Sequence, residues 1–253
     1  MNKKLDVIVM GETSNPRHII VLLHGMTGDY EEMSRIMGTE FAKKIPDALI
    51  LIPNAPLSIP LSSEEVTNIK KTRPGFQEDK ARTWWLPIKP KVMLPLYFRF
   101  NMVAAFDRLN EFIDDNLQKY GLKDEDLGIY GFSQGGTLAI NSALKRNKPC
   151  AAVVCHSGAF PGFIKLRSRP DNVLLITGTD DIKQMSGAPR FLSFLFSHAN
   201  TMRRLKNKDI KTSEFVYPGY GHSMNNAEIN VITTQFVADA FCAKLKNVKP
   251  PEV

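Results

Sequence analysis

The chain has little that could tie it together covalently or through a metal. Cys150, Cys155 and Cys242 are the only cysteines in 253 residues. Their number is odd and their spacing fits no metal-ligand pattern, so reduced thiols, rather than a disulfide framework or a metal site, are expected. Long apolar runs are missing as well, and nothing approaches the roughly 20 residues that a membrane-spanning helix needs. The start, MNKKLDVIVMGETSNP, carries two lysines but no apolar core of a signal peptide, because Asp6 interrupts it and polar residues follow. The expected location is therefore cytoplasmic. Internal repeats are absent. What remains is an apolar fraction of 43% and a charged fraction of 23%, the balance of a globular chain long enough for one large domain.

Positive charge is in excess. The formal net charge is +7, with clusters at Lys145-Arg146-Lys148, Arg203-Arg204-Lys206-Lys208 and Lys244-Lys246-Lys249. No zinc, helix-turn-helix or aromatic-interleaved basic pattern accompanies them, so no nucleic-acid partner is expected. Weak association with an anionic membrane surface is one use for such clusters. The plainer reading is solvated helix faces.

Short β-branched and leucine runs alternate with longer helical patterns. Val7–Met10, Ile19–Leu23, Ala48–Ile52, Leu127–Tyr130, Ala151–Cys155, Val173–Thr177 and Thr212–Tyr217 read as strands, several of the type buried on both faces of a parallel sheet. Helical spacing is expected over 29–44, Pro95–Tyr120, Thr137–Leu144, Pro189–Asn207 and Asn226–Lys246. This alternation predicts an α/β fold, a mostly parallel central sheet with helices on both faces, as a single domain spanning 1–253. Residues 57–83 break the rhythm. They are polar, charged and without a clear period, and read as an inserted, lid-like excursion above the sheet. The tail NVKPPEV reads as a solvated end.

Gly131-Phe132-Ser133-Gln134-Gly135 lies between a strand pattern and a helix pattern. A serine hydroxyl serves as a nucleophile only if it stands clear of the backbone and beside a base. A sharp strand-to-helix turn achieves this, and the glycines two residues away on either side relieve the crowding it creates. The helix behind Ser133 would aim backbone N–H groups at a reacting carbonyl. Of five histidines, His18 precedes a strand at the wrong end of the sheet, and His198 falls inside a helical pattern. His24 suits a turn-shaping role, while His156 and His222 both follow strands at the carboxyl edge. The order expected on this architecture is Ser, acid, His, which selects His222, with Asp180 or Asp181 as the acid and His156 as the competitor. An oxyanion would meet the amide of Gln134 and one from the loop after His24, where Met26 is the natural candidate. Trp84 and Trp85 sit in an irregular stretch. Adjacent indoles cannot easily share one core face, so at least one is expected to line a cleft and touch substrate, against a core-packing alternative.

The segments LLHGMTGDYEE, LILIPNAP, TWWLPI, GFSQGG, HSGAF, ITGTDD and YGHSM, in this order over residues 18–245, resemble the phospholipase/carboxylesterase branch of the α/β-hydrolases, which includes bacterial carboxylesterases and acyl-protein thioesterases. The resemblance implies a serine hydrolase without a cofactor or metal. Its substrates would be small acyl esters, thioesters of acylated proteins, or lysophospholipids. The family's G-x-x-D pattern falls on Gly178-Thr179-Asp180-Asp181 and so implies Asp181 as the acid, leaving Asp180 to the turn. Four departures stand out: Thr27 where glycine is usual, Trp84-Trp85-Leu86 where the family has an acid, Ile182-Lys183-Gln184-Met185 after the triad acid, and the longer, more charged 57–83. A lysophospholipase, a peptidase, or a binding protein that holds an acyl ligand without cleaving it are the alternatives.

Overall fold

A computed structural model describes residues 4–86, 95–186 and 194–246. Seven strands form the central sheet: β1 (Val7–Gly11), β2 (His18–Leu23), β3 (Ala48–Pro53), β6 (Leu127–Phe132), β7 (Ala152–His156), β8 (Val173–Gly178) and β9 (Ser213–Tyr217), in the order β1-β3-β2-β6-β7-β8-β9. Only β1 is antiparallel to its neighbour; the other five pairings are parallel. The apolar runs explain this placement. Every residue of β2, β3, β7 and β8 is buried, as strands covered on both faces require.

Alternate side chains feed two cores. Ile19, Val21 and Leu23 face a layer that includes Phe106, Leu109 and Ile113 of α4 (Pro95–Tyr120) and Leu138 and Leu144 of α5 (Gln134–Lys145). Ile20 and Leu22 face Met33 of α1 (Tyr30–Met33), Phe41 of α2 (Thr39–Lys44), and Val237 and Phe241 of α8 (Ala227–Lys246). A π-helical stretch, Ser34–Gly38, joins α1 to α2. All seven expected strands are present to within a residue or two. Of the helix expected over Pro189–Asn207, α7 (His198–Lys206) is described; residues 187–193 and the tail from 247 lie outside the described residues.

Two expectations need correction. The 57–83 excursion is not irregular: β4 (Leu57–Ser58) pairs antiparallel with β5 (Arg82–Thr83), and α3 (Ser63–Thr72) lies between them. Ser62 caps that helix by accepting from the amide of Glu65, whose carboxylate accepts from the amide of Ser62 in return. Ile59, Phe76 and Ala81 form a small core of its own, flanked by Leu61, Val66 and Ile69. The second correction concerns Asp180, expected in a turn after Gly178: it lies in the first turn of a helix, α6 (Thr179–Ser186). Two carboxylates in a first helical turn favour that outcome, because they complement the positive end of the helix dipole.

Candidate functional site

The carboxyl edges of β6, β8 and β9 bring three side chains into one chain of hydrogen bonds. Ser133 follows β6 at φ 55° and ψ −116°, in the half of backbone space that non-glycine residues avoid. Its amide donates to the carbonyl of His156 at 2.8 Å, which anchors the strained turn to β7. Only glycine fits on either side. A Cβ at Gly131 would lie 2.0 Å from the Gly135 carbonyl oxygen, and one at Gly135 would lie 2.2 Å from that of Leu23.

His222 comes from the loop after β9. Its Nε2 lies 2.8 Å from Ser133 Oγ, and its Nδ1 lies 2.9 Å from Asp181 Oδ1. Asp181 is 7% exposed. Burial pushes its carboxyl up, but the hydrogen bond and charge of His222 outweigh this and hold it below its usual value. An ionised carboxylate only accepts, so Nδ1 carries the ring proton and Nε2 is left to accept from the serine. The arrangement can therefore move a proton from Ser133 to His222. Asp180 points elsewhere and pairs with Lys183 on the exposed side of α6.

The other histidines are engaged. His156 is fully buried, and its Nδ1 lies 3.0 Å from the Tyr130 hydroxyl rather than near Ser133 Oγ. Burial first, and the charge of His222 second, push it down to about 3. His24 is likewise buried: Nδ1 donates to the Gly25 carbonyl at 2.8 Å and Nε2 accepts from the Ala55 amide at 3.1 Å. This pairing ties the turn after β2 to the end of β3. His18 opens β2 and stacks on Phe241. His198 begins α7, rather than lying inside it, and pairs with Glu214.

Met26 sits in the turn Gly25–Gly28, closed by the Gly28 amide on the Gly25 carbonyl. Its side chain is exposed and borders a cleft of about 910 Å³, shared with Arg35, Arg73, Phe76, Lys80 and His222. Gln134 opens α5, so its amide is one that the helix itself leaves unpaired. Its side chain has a role that the sequence reading missed. Oε1 accepts from the Trp84 amide at 2.9 Å, and Nε2 donates to the Trp85 carbonyl at 3.0 Å.

The tryptophan expectation is corrected here. Trp84 and Trp85 are each 4% exposed, belong to the core, and are not among the described residues that border the cleft. Trp84 donates from Nε1 to the His24 carbonyl at 2.9 Å, and Trp85 stands edge-on to Phe106. The adjacent indoles share a core after all, and the Gln134 side chain bonds the backbone of both residues. Among the described residues, no group of three His, Cys, Asp or Glu side chains could hold a metal ion.

The sequence pattern of the Phospholipase/Carboxylesterase family matches residues 101–238. Carboxylesterase SOBER1 of Arabidopsis thaliana is 27% identical over 225 residues, covering 85% of this chain and 88% of its own. Among solved structures, esterase PE8 superposes with a TM-score of 0.72 at 23% identity, over 94% of this chain and 100% of its own. A carboxylesterase from Bacillus cereus does so with a TM-score of 0.62 at 16% identity, over 94% and 96%.

Proposed function

Because the chain belongs to the phospholipase/carboxylesterase family, we propose that it hydrolyses carboxylic esters, thioesters among them, through an acyl-enzyme intermediate on Ser133. The single observation that carries this is the continuous chain Asp181–His222–Ser133, with links of 2.9 and 2.8 Å. In this reading His222 takes the Ser133 proton as Oγ attacks the carbonyl carbon. Asp181 holds the ring in the required tautomer and stabilises the imidazolium. The amides of Met26 and Gln134 meet the oxyanion. His222 then protonates the leaving alcohol or thiol, and in the second half-reaction draws a proton from water as that water attacks the acyl-enzyme.

The same reading takes the chain as one domain in which 57–83 is a lid, contributing Arg73, Phe76 and Lys80 to the cleft wall. Paired charges line that wall, Glu31 with Lys80 and Glu32 with Arg73. A small ester with a polar part suits such a wall better than a long acyl chain does, although an acylated protein or a lysophospholipid could present its ester from outside. Buried, unpaired Cys150 and Cys155 suit a reducing cytoplasm. No helix among the described residues is long and apolar enough to cross a membrane.

Ser133→Ala should fold normally and lose roughly 10⁴-fold or more in kcat toward p-nitrophenyl esters, since such residues act as one unit. Near-native turnover in that variant would end this mechanism. A panel of esters of graded chain length, with an acyl-CoA and lysophosphatidylcholine alongside, would rank the substrate classes.

A further inference from the structure

The turn that carries Met26 is strained at one place. Thr27 is its third residue and has φ 65°, while Met26 is not in the positive-φ region. A turn of this kind calls for glycine at that position, and a β-branched residue there is an outlier. Left alone, Thr27 would relax toward negative φ, rotating the Met26–Thr27 peptide and unsettling the turn that presents the Met26 amide.

The 57–83 segment holds Thr27 on every polar atom it has. Its amide donates to the Arg82 carbonyl at 2.9 Å, and the Arg82 amide returns a bond to the Gly28 carbonyl at 3.2 Å, so the first residue of β5 is bonded to the turn in both directions. From the end of α3, Arg73 donates Nη1 to Thr27 Oγ1 at 3.2 Å and Nη2 to the Thr27 carbonyl at 3.4 Å. The same Nη2 donates to Glu32 Oε2 at 2.8 Å, which ties the guanidinium to α1 directly behind the turn. Arg73 and Glu32 are mostly shielded, with 32% and 20% of their side chains exposed. A planar guanidinium reaches a hydroxyl, a carbonyl and a carboxylate from two nitrogens held in a rigid fork, whereas a lysine has to serve all three from a single point on a flexible stem.

We propose that Arg73 is a positioning residue for the oxyanion site, and that 57–83 works as a strap that keeps the strained Gly25–Gly28 turn in its donor geometry. This rests on the hydrolase reading above and deepens it. Arg73 need not touch the reacting atoms. It acts through Thr27 and Met26.

The test compares Arg73→Ala with the parent protein on p-nitrophenyl acetate and butyrate, with Ser133→Ala run in parallel. Deleting one oxyanion donor outright costs about 10²–10³ in kcat, so loosening one should cost roughly tenfold or more. The loss should be similar for both esters, and KM should stay within about threefold because the interaction is made only in the transition state. Guanidinium added at low millimolar concentration should restore part of the kcat. In a Thr27→Gly background, where the backbone takes φ 65° without strain, the Arg73→Ala loss should shrink clearly. If Ser133→Ala is inactive and Arg73→Ala keeps its kcat, the strap idea fails and the hydrolase reading stands. If the loss falls in KM alone, Arg73 binds substrate and the proposal is overturned. If Ser133→Ala stays active, the mechanism beneath it falls first. Should Arg73→Ala fold poorly, Arg73→Lys, which keeps the positive charge but replaces the rigid two-nitrogen fork with a single flexible ammonium, should show the same kcat loss at unchanged melting temperature; full kcat in that variant would also overturn the proposal.

Discussion

Asp180 and Asp181 are neighbours in sequence and opposites in surroundings. One is paired with Lys183 in solvent, and the other is 7% exposed and bonded to His222. Asp181→Asn should leave His222 free to adopt the wrong tautomer, a change that costs about 10⁴ in kcat in the best-studied triad, and a loss of at least about a hundredfold is expected here. Asp180→Asn should change kcat little. A side-by-side kcat measurement with the reverse ranking would move the acid to Asp180. The thiols differ in the same way. Burial pushes Cys150 and Cys155 up to about 12, while Cys242 is exposed. Since the thiolate is the reactive form, a thiol reagent at pH 8 should modify Cys242 in the native protein and reach the other two only on unfolding. Much of this scale was legible in the sequence, because Ser133, His222 and the aspartate pair all follow strands where chemistry gathers. Arg73 was not. Nothing in Arg73-Pro74-Gly75 says which carbonyl, 46 residues earlier, it will reach.

Among the elements, the seven strands could be read directly because a strand buried on both faces must be a continuous apolar run. Helix α3 could not, because it buries none of its residues, and helical periodicity in a sequence is the imprint of a buried face. Its signal lay in the cap instead, where Ser62 and Glu65 stand three apart before a run of helix formers. With so small a core beneath it, α3 should depend on that cap. Ser62→Ala or Glu65→Ala should each weaken the helix by about 1 kcal/mol. The effect should appear as faster amide exchange or proteolysis within 57–83 at an unchanged global melting temperature. A shift of the whole melting curve would show that α3 unfolds only with the sheet. The tryptophans were misread for a related reason. Their burial depends on the Gln134 side chain from another element, and a local reading has no access to such a partner.

For the molecule as a whole, His24 and His156, the two histidines with no exposed surface, set a pH response. His24 is pushed down to about 4 and His156 to about 3, in each case chiefly by burial. In the unfolded chain both would take up protons near 6.5. Lowering the pH below 6.5 therefore protonates the unfolded state while the folded state stays neutral, and stability falls toward pH 4. Between pH 7 and 5.5, where carboxylates in the unfolded chain remain ionised, each histidine should cost about 1 kcal/mol. Urea unfolding at the two pH values should show that decline, and a flat profile would mean that these rings are not buried as neutral groups. Sequence reading placed the sheet and its carboxyl edge correctly and set 57–83 above them as an insertion, but the bonds from Arg73 and Arg82 to the turn after β2 were not legible in it.

Those bonds matter for recombination. The segment that lines the cleft with Arg73, Phe76 and Lys80 also bonds Thr27 and Gly28. A segment transplanted from a relative in place of 57–83 would arrive without those bonds, so substrate range and turnover would be inherited together, and a graft that alters the first should be screened with Arg73 and the backbone pairing of residue 82 with the turn restored.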